Sequence, residues 1–267
     1  MKKIIITATV LATLLVACQK NAITGRRSPN FVAETELIGM SLTEYDKFLA
    51  VHKPLPAADK RTIMVKNVGV KIQKSVEKYY ADKGLSSQLE GFKWDFNVVD
   101  ENVVNAWCMP GGKVVVYTGL LAVTQNDASL AVVMGHEIAH AVARHGNERM
   151  SQGMMVQFGG LVLSTATQQN SALTQTLFQQ AYGLTTTLGT LKYSRTHETE
   201  ADKMGLIFAA MGGYNPEAAI AFWERMAAAG DGQNPPQLLS THPSDETRIA
   251  NLKAFMPEAK KYYNPGK

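Results

Sequence analysis

The chain has 267 residues, a formal net charge of +4, 45% apolar residues and 19% charged residues. That length buries a sizeable core in one large or two small domains, and this composition excludes a disordered chain. Two cysteines exclude a disulfide-rich scaffold and a four-cysteine metal site, and the mild charge, with no dense basic run, excludes a nucleic-acid partner.

The N-terminus reads as an address. Lys2 and Lys3 precede an apolar run over residues 4–16, which is short for a bilayer span. The run ends Leu15-Val16-Ala17-Cys18, which resembles a bacterial lipobox. The resemblance implies a lipoprotein signal peptide over 1–17, lipidation of Cys18 and a membrane anchor there. Residues 18–30 are polar and hold Gly25 and Pro29, so they read as a lipid-anchored tether before a domain over 31–267. The expected location is a bacterial cell envelope facing the periplasm. Gln19, which is no aspartate retention signal, favours the outer membrane. No later segment reaches 18 uninterrupted apolar residues.

Residues 31–50 carry apolar side chains at helical spacing, and 51–58 hold two prolines and break the pattern. A long helix is expected over 58–83, with Ile63, Val65, Val68, Ile72, Val76 and Tyr79 near one face and Gly84 as a stop. Residues 92–99 alternate as a strand, Pro110-Gly111-Gly112 turns, and 114–118 is a second β-rich run. From 126 onward the chain reads as mostly helical. Residues 165–190, rich in Gln, Thr and Ser, read as a mobile loop or a weak helix pair.

His136-Glu137-Ile138-Ala139-His140 is HExxH inside a helical run over 127–145, which Thr124 or Asn126 can cap. Positions i and i+4 share a helix face, so both imidazoles reach one metal ion while Glu137 projects beside it. A histidine ten residues after His136 would complete one known pattern, but that position is Gly146. The third ligand is then sought in Ser194-Arg195-Thr196-His197-Glu198-Thr199-Glu200-Ala201-Asp202, which opens a helix capped by Ser194 or Thr196. Glu198 shares its face with Ala201, Asp202, Gly205 and Ala209, small residues that permit close approach to the HExxH helix. Glu200 and His197 lie on bulkier stripes. Glu198 is therefore the preferred ligand, and Asp202, one turn on, can orient a ligand histidine.

His136-Glu137-Ile138-Ala139-His140 with the Ser194–Asp202 segment resembles the zinc metallopeptidases of the HtpX and CAAX-prenyl-protease type, the forty-eighth family of metallopeptidases. Asn105-Ala106 with Pro110-Gly111-Gly112, and His242-Pro243 with Arg248-Ile249, match further family segments. The resemblance runs over about 92–252 and implies an α+β, predominantly helical, gluzincin-like domain with a small sheet beside the HExxH helix. It also implies one zinc ion on His136, His140 and Glu198, with Asp202 in support. The absence of long apolar spans points to a lipid-anchored or periplasmic branch. The implied reaction is peptide hydrolysis in unfolded or damaged envelope proteins, with Glu137 as general base towards metal-activated water. His242 and Arg248 are candidate donors to the developing oxyanion. His242 is alternatively an inhibitory fourth ligand or a loop stabiliser, and Arg248 a structural salt bridge. Val114, Val115 and Val116 are candidates for edge pairing with a peptide substrate. His52 reads as solvated, His145 as a favourable charge at a helix end, and Cys108 as a small core residue. The rival readings are a lipoprotein chaperone for outer-membrane clients, with envelope assembly partners, and a solute-binding lipoprotein. Glu137 favours the enzyme, because a scaffold has no use for it.

Overall fold

The computed structural model describes residues 18–158, 171–182, 193–230, 236–242 and 246–265. The expected signal segment and most of the Gln/Thr/Ser-rich stretch lie outside them. The chain opens with strands β1 (Cys18–Lys20) and β2 (Arg27–Pro29), which pair antiparallel. Helices α1 (Glu34–Val51) and α2 (Lys60–Asp82) follow. Asp59 caps α2 by accepting from the Arg61 N–H, and Gly84, at φ +69°, ends it in the left-handed region.

Strands β3 (Asp95–Val99), β4 (Ala106–Met109) and β5 (Lys113–Tyr117) form a sheet of order β3-β5-β4, with β3 parallel and β4 antiparallel to β5. β5 is the central strand. Val114 and Val116 face the main core, while Val115 and Tyr117 pack with Tyr45 and Val99 on the other side. Pairing Val114 to Val116 with a peptide is therefore corrected: β3 and β4 already flank β5, and its three valines are wholly buried. β3 and β4 are the two edges; Pro54 and Leu55 bridge β3 at Val99 and Val98, which leaves β4 as the edge that could pair among the described residues. Its Ala106-Trp107-Cys108-Met109 had no clear alternation to announce it.

Helices α3 (Thr118–Thr124) and α4 (Asp127–Val142) lead into the HExxH segment. The Asn126 side chain caps α4 by accepting from the Ser129 N–H at 2.8 Å. The helical run expected to reach 145 breaks earlier. Arg144 adopts φ +58°, and a new helix, α5 (His145–Phe158), starts in another direction. Then come α6 (Ser171–Ala181), α7 (Arg195–Met211), α8 (Ala218–Gly230), α9 (Gln237–Thr241) and α10 (Glu246–Lys260).

The core lies between the sheet, α2, α4 and α7. α4 and α7 touch backbone to backbone. A Cβ on Gly135 would lie 2.9 Å from the Gly205 carbonyl oxygen, and one on Gly205 would lie 2.8 Å from the His136 nitrogen. The small face of α7 does meet the HExxH helix, as the sequence predicts. Among the described residues no helix is long and apolar enough to cross a membrane.

The expected tether is also corrected. Residues 18–30 form a hairpin docked on α5 and α7: Asn21 donates to the Met204 sulfur at 3.4 Å, and Arg26 reaches Glu148 and Glu200. A polar composition looked like a linker because the partners of those polar groups lie far along the chain.

Candidate metal centre

α4 presents His136 and His140 one turn apart, and α7 brings Glu198 against them. The third element is α9, whose last residue, Thr241, is followed by His242. Ligand atoms of His136, His140, Glu198 and His242 all lie within 4.8 Å of one another, and all four residues are buried. α7 starts where it does because the Ser194 hydroxyl accepts from the His197 N–H at 3.2 Å, while the His197 Nδ1 accepts from the Ser194 N–H at 3.4 Å. His197 thus caps the helix, and its Nε2 lies 3.0 Å from Glu148.

The protons can be placed from the partners. His136 Nδ1 lies 2.9 Å from Asp202 Oδ1. A carboxylate only accepts, so Nδ1 carries the proton and Nε2 presents a lone pair. Against the desolvation that opposes its charge, the Arg248 guanidinium holds Asp202 below the usual carboxylate range. Arg248 Nε and Nη2 donate to Asp202 at 2.9 and 2.7 Å, and Nη1 lies 3.1 Å from Glu198. Its guanidinium also stacks 3.4 Å over Trp223. Of the two expectations for Arg248, the geometry shows the salt bridge: its groups face Asp202 and Glu198, and it does not line the cleft at Glu137. His136 Nε2 faces His140 Nε2 at 3.0 Å, with Glu198 oxygens 3.5 and 3.4 Å from the two nitrogens. Nitrogen lone pairs and a carboxylate this close repel unless a cation draws them together. Two imidazoles plus one carboxylate are zinc chemistry, so the residues present fit a metal ion.

Burial pulls the His140 imidazole well below its ordinary value. Glu198 is held well below its own despite desolvation, above all by the charge of His242. Glu137 is 4% exposed, and its Oε1 has no hydrogen-bond partner. Burial pushes its carboxyl above the usual carboxylate range. It opens onto a cleft of about 510 Å³ lined also by His242, by all of β4 and by Tyr117 and Tyr193.

His242 Nδ1 lies 2.9 Å from Glu198 Oε1 and 3.2 Å from His136 Nε2. Against the burial that pulls it down, the carboxylates of Glu198 and Glu137 hold His242 above its ordinary value. Tyr193 opens the segment that carries Glu198, with no motif to give it a role of its own. Its ring centroid sits 3.9 Å from that of His140 and 5.1 Å from that of His242, and only its place just before the Ser194 cap could have drawn attention to it. His145 is corrected as well. It is fully buried rather than a favourable charge at a helix end, and burial lowers its imidazole to about 4. Its Nδ1 lies 2.9 Å from His140 Nδ1. The turn at Arg144 brings it under His140, which no straight-helix extrapolation foresees. His52 stacks on Phe48 with ring centroids 4.4 Å apart. Cys108 is buried with a free thiol pushed up by burial, as a core residue should be.

A model of peptidase family M48 matches residues 69–256. The chain is 35% identical over 219 residues to the mitochondrial metalloendopeptidase OMA1 of Saccharomyces cerevisiae, covering 78% of this chain and 60% of that one. It is 30% identical over 249 residues to the human metalloendopeptidase OMA1, covering 90% and 46%. It is 30% identical over 168 residues to the beta-barrel assembly-enhancing protease of Escherichia coli, covering 59% and 33%. The chain thus spans between a third and three fifths of the length of these curated relatives. None of the three is named for HtpX or prenyl-protease activity, so that part of the resemblance reduces to the family. The mitochondrial names point away from a lipid-anchored bacterial outer-membrane location facing the periplasm, and that expectation is withdrawn. An address is read from a leader before folding and leaves no contact in the domain that could have checked it.

Proposed function

The chain belongs to peptidase family M48, and on that premise we propose that it is a zinc-dependent endopeptidase acting on extended or unfolded polypeptide. His136, His140 and Glu198 hold the ion, and Glu137 is the general base. Zinc held there supplies Lewis acidity, which polarises a carbonyl and acidifies water. Glu137, desolvated and with one oxygen unbonded, takes a proton in the cleft and returns it to the leaving amine. Asp202 and Arg248 keep His136 turned towards the site. The free edge of β4, which lines the same cleft, pairs with the substrate main chain. Backbone pairing reads side chains weakly, which suits a loose sequence preference.

One observation carries this reading: the buried donor atoms converge within 4.8 Å, beside a carboxyl whose Oε1 has no hydrogen-bond partner. Metal analysis and a casein-hydrolysis assay on wild type and Glu137→Gln provide the test. One zinc per chain is expected in both proteins, with hydrolysis lost in the variant. Unchanged cleavage by Glu137→Gln would overturn the assignment of the base.

A further inference from the structure

The two metal-facing histidines are oriented differently. His136 leans directly on Asp202. His140 Nδ1 faces another imidazole, His145 Nδ1, at 2.9 Å. One of these nitrogens must donate and the other accept. His145 settles which, because its other nitrogen, Nε2, lies 3.2 Å from Glu200 Oε2. The Glu200 carboxylate can only accept, so the proton sits on His145 Nε2. A neutral His145 then accepts at Nδ1, and His140 donates from Nδ1. That leaves the His140 Nε2 lone pair facing His136 and Glu198, where a ligand nitrogen belongs.

Glu200 is itself held from the N-terminal hairpin. Arg26 Nε and Nη2 donate to Glu200 Oε2 at 2.9 and 2.7 Å, and the Thr24 hydroxyl donates to Oε1. The same guanidinium makes a two-pronged contact with Glu148, Nη1 to Oε1 at 2.8 Å and Nη2 to Oε2 at 2.7 Å. Glu148 in turn binds His197 Nε2, and the His197 ring stacks on His145 with centroids 4.6 Å apart. Two carboxylates, two imidazoles and one arginine therefore close a network behind His140: the carboxylates and imidazoles are buried, and Arg26, its side chain 28% exposed, closes it on the solvent side.

We propose that His145, Glu200 and Arg26 form an orienting arm for His140, so that residues 18–30 are a working part of the metal centre. The proposal rests on the metal-centre reading above. Arg26 acts through Glu200 and His145 and touches neither ion nor substrate, so it is a positioning residue. The sign of its effect separates orientation from plain electrostatics. Deleting a positive charge near a bound cation should tighten binding by Coulomb's law. Loss of an orienting partner should weaken it, by about 10- to 100-fold.

The test uses the full chain. Zinc affinity is measured by competition with a chromophoric chelator, and the visible spectrum of the cobalt(II)-substituted protein reports ligand geometry. Arg26→Ala is expected to bind zinc at least ~10-fold more weakly and to shift the cobalt bands. Arg26→Lys should recover part of both effects. Arg27→Ala, at the exposed neighbouring position, should leave both unchanged. If Arg26→Ala does not fold, Glu200→Gln, which keeps the side-chain shape, decides by the cobalt bands, because losing a negative charge weakens zinc binding by Coulomb's law as well. Wild-type affinity or tighter in Arg26→Ala with unshifted cobalt bands, or unshifted bands in Glu200→Gln where it decides, overturns the arm and leaves the metal centre standing. A wild type that binds no zinc overturns both.

Discussion

At the scale of single residues, the site contrasts groups whose partners are local with groups whose partners are distant. His136 and His140 are legible because four helical residues return a side chain to the same face. Asp202 is legible for the same reason, one turn after Glu198. Tyr193, His145 and Arg26 give no such signal: each is defined by what another element places beside it, 3.9 Å away for the Tyr193 and His140 rings. His242 lies between these cases. The sequence marks it but leaves three roles open, donor, fourth ligand and loop stabiliser. Its Nδ1 lies among the donor atoms, 2.9 Å from Glu198, and as a fourth ligand it would fill a position that a catalytic site keeps open. His242→Ala is therefore expected to raise casein hydrolysis severalfold with one zinc retained. A fall in kcat at unchanged zinc content would instead make His242 a donor in the reaction.

At the scale of elements, the decisive contact is between α4 and α7. Its close approach was readable from Gly205, Ala201 and Ala209 on the Glu198 face. Gly135 and Gly205 meet with no room for a methyl group, and the obstructing atoms are backbone. Alanine gains up to about 1 kcal/mol over glycine from helix propensity. Separating two packed backbones costs about 1–3 kcal/mol, and it would also move Glu198 away from the histidines. The clash outweighs the propensity, so Gly205→Ala is expected to lower the unfolding midpoint and weaken zinc binding together. A stabilised variant with unchanged zinc affinity would show that the helices have slack. Sheet order is the counter-example. Both β5 and β4 are short, and nothing in Val114-Val115-Val116 tells a central strand from an edge one. Burial on both faces gives a continuous apolar run, and only the pairing of β3 and β4 with β5 decides the matter.

At the scale of the whole molecule, a hairpin from the start of the chain is pinned to helices more than a hundred residues away. Against desolvation, the hydrogen bonds from His197 and Arg26 hold Glu148 down to about 2 from its ordinary 4.5. A carboxyl depressed on folding contributes stability that is present above pH 4.5 and lost as pH falls towards 2. A shift of this size is worth on the order of 2–3 kcal/mol. Urea unfolding followed from pH 6 to pH 2.5 should show stability falling below about pH 4.5. The fall should be smaller in Glu148→Gln, which has no carboxyl to titrate. An equal fall in both proteins would place the acid sensitivity elsewhere.

By itself the sequence determined the helical frame, the HExxH pair, the preference for Glu198 over its neighbours and the support from Asp202. Each of these follows from the 3.6-residue period, a relation within one element. It also determined the family, because the spacing of several motifs is kept along the chain. Tertiary structure alone decided that β4 is the free edge, that Arg248 serves Asp202, and that His145 and the N-terminal hairpin stand behind His140. Those are contacts between segments far apart in sequence, and a turn at one residue, Arg144, is enough to redirect them.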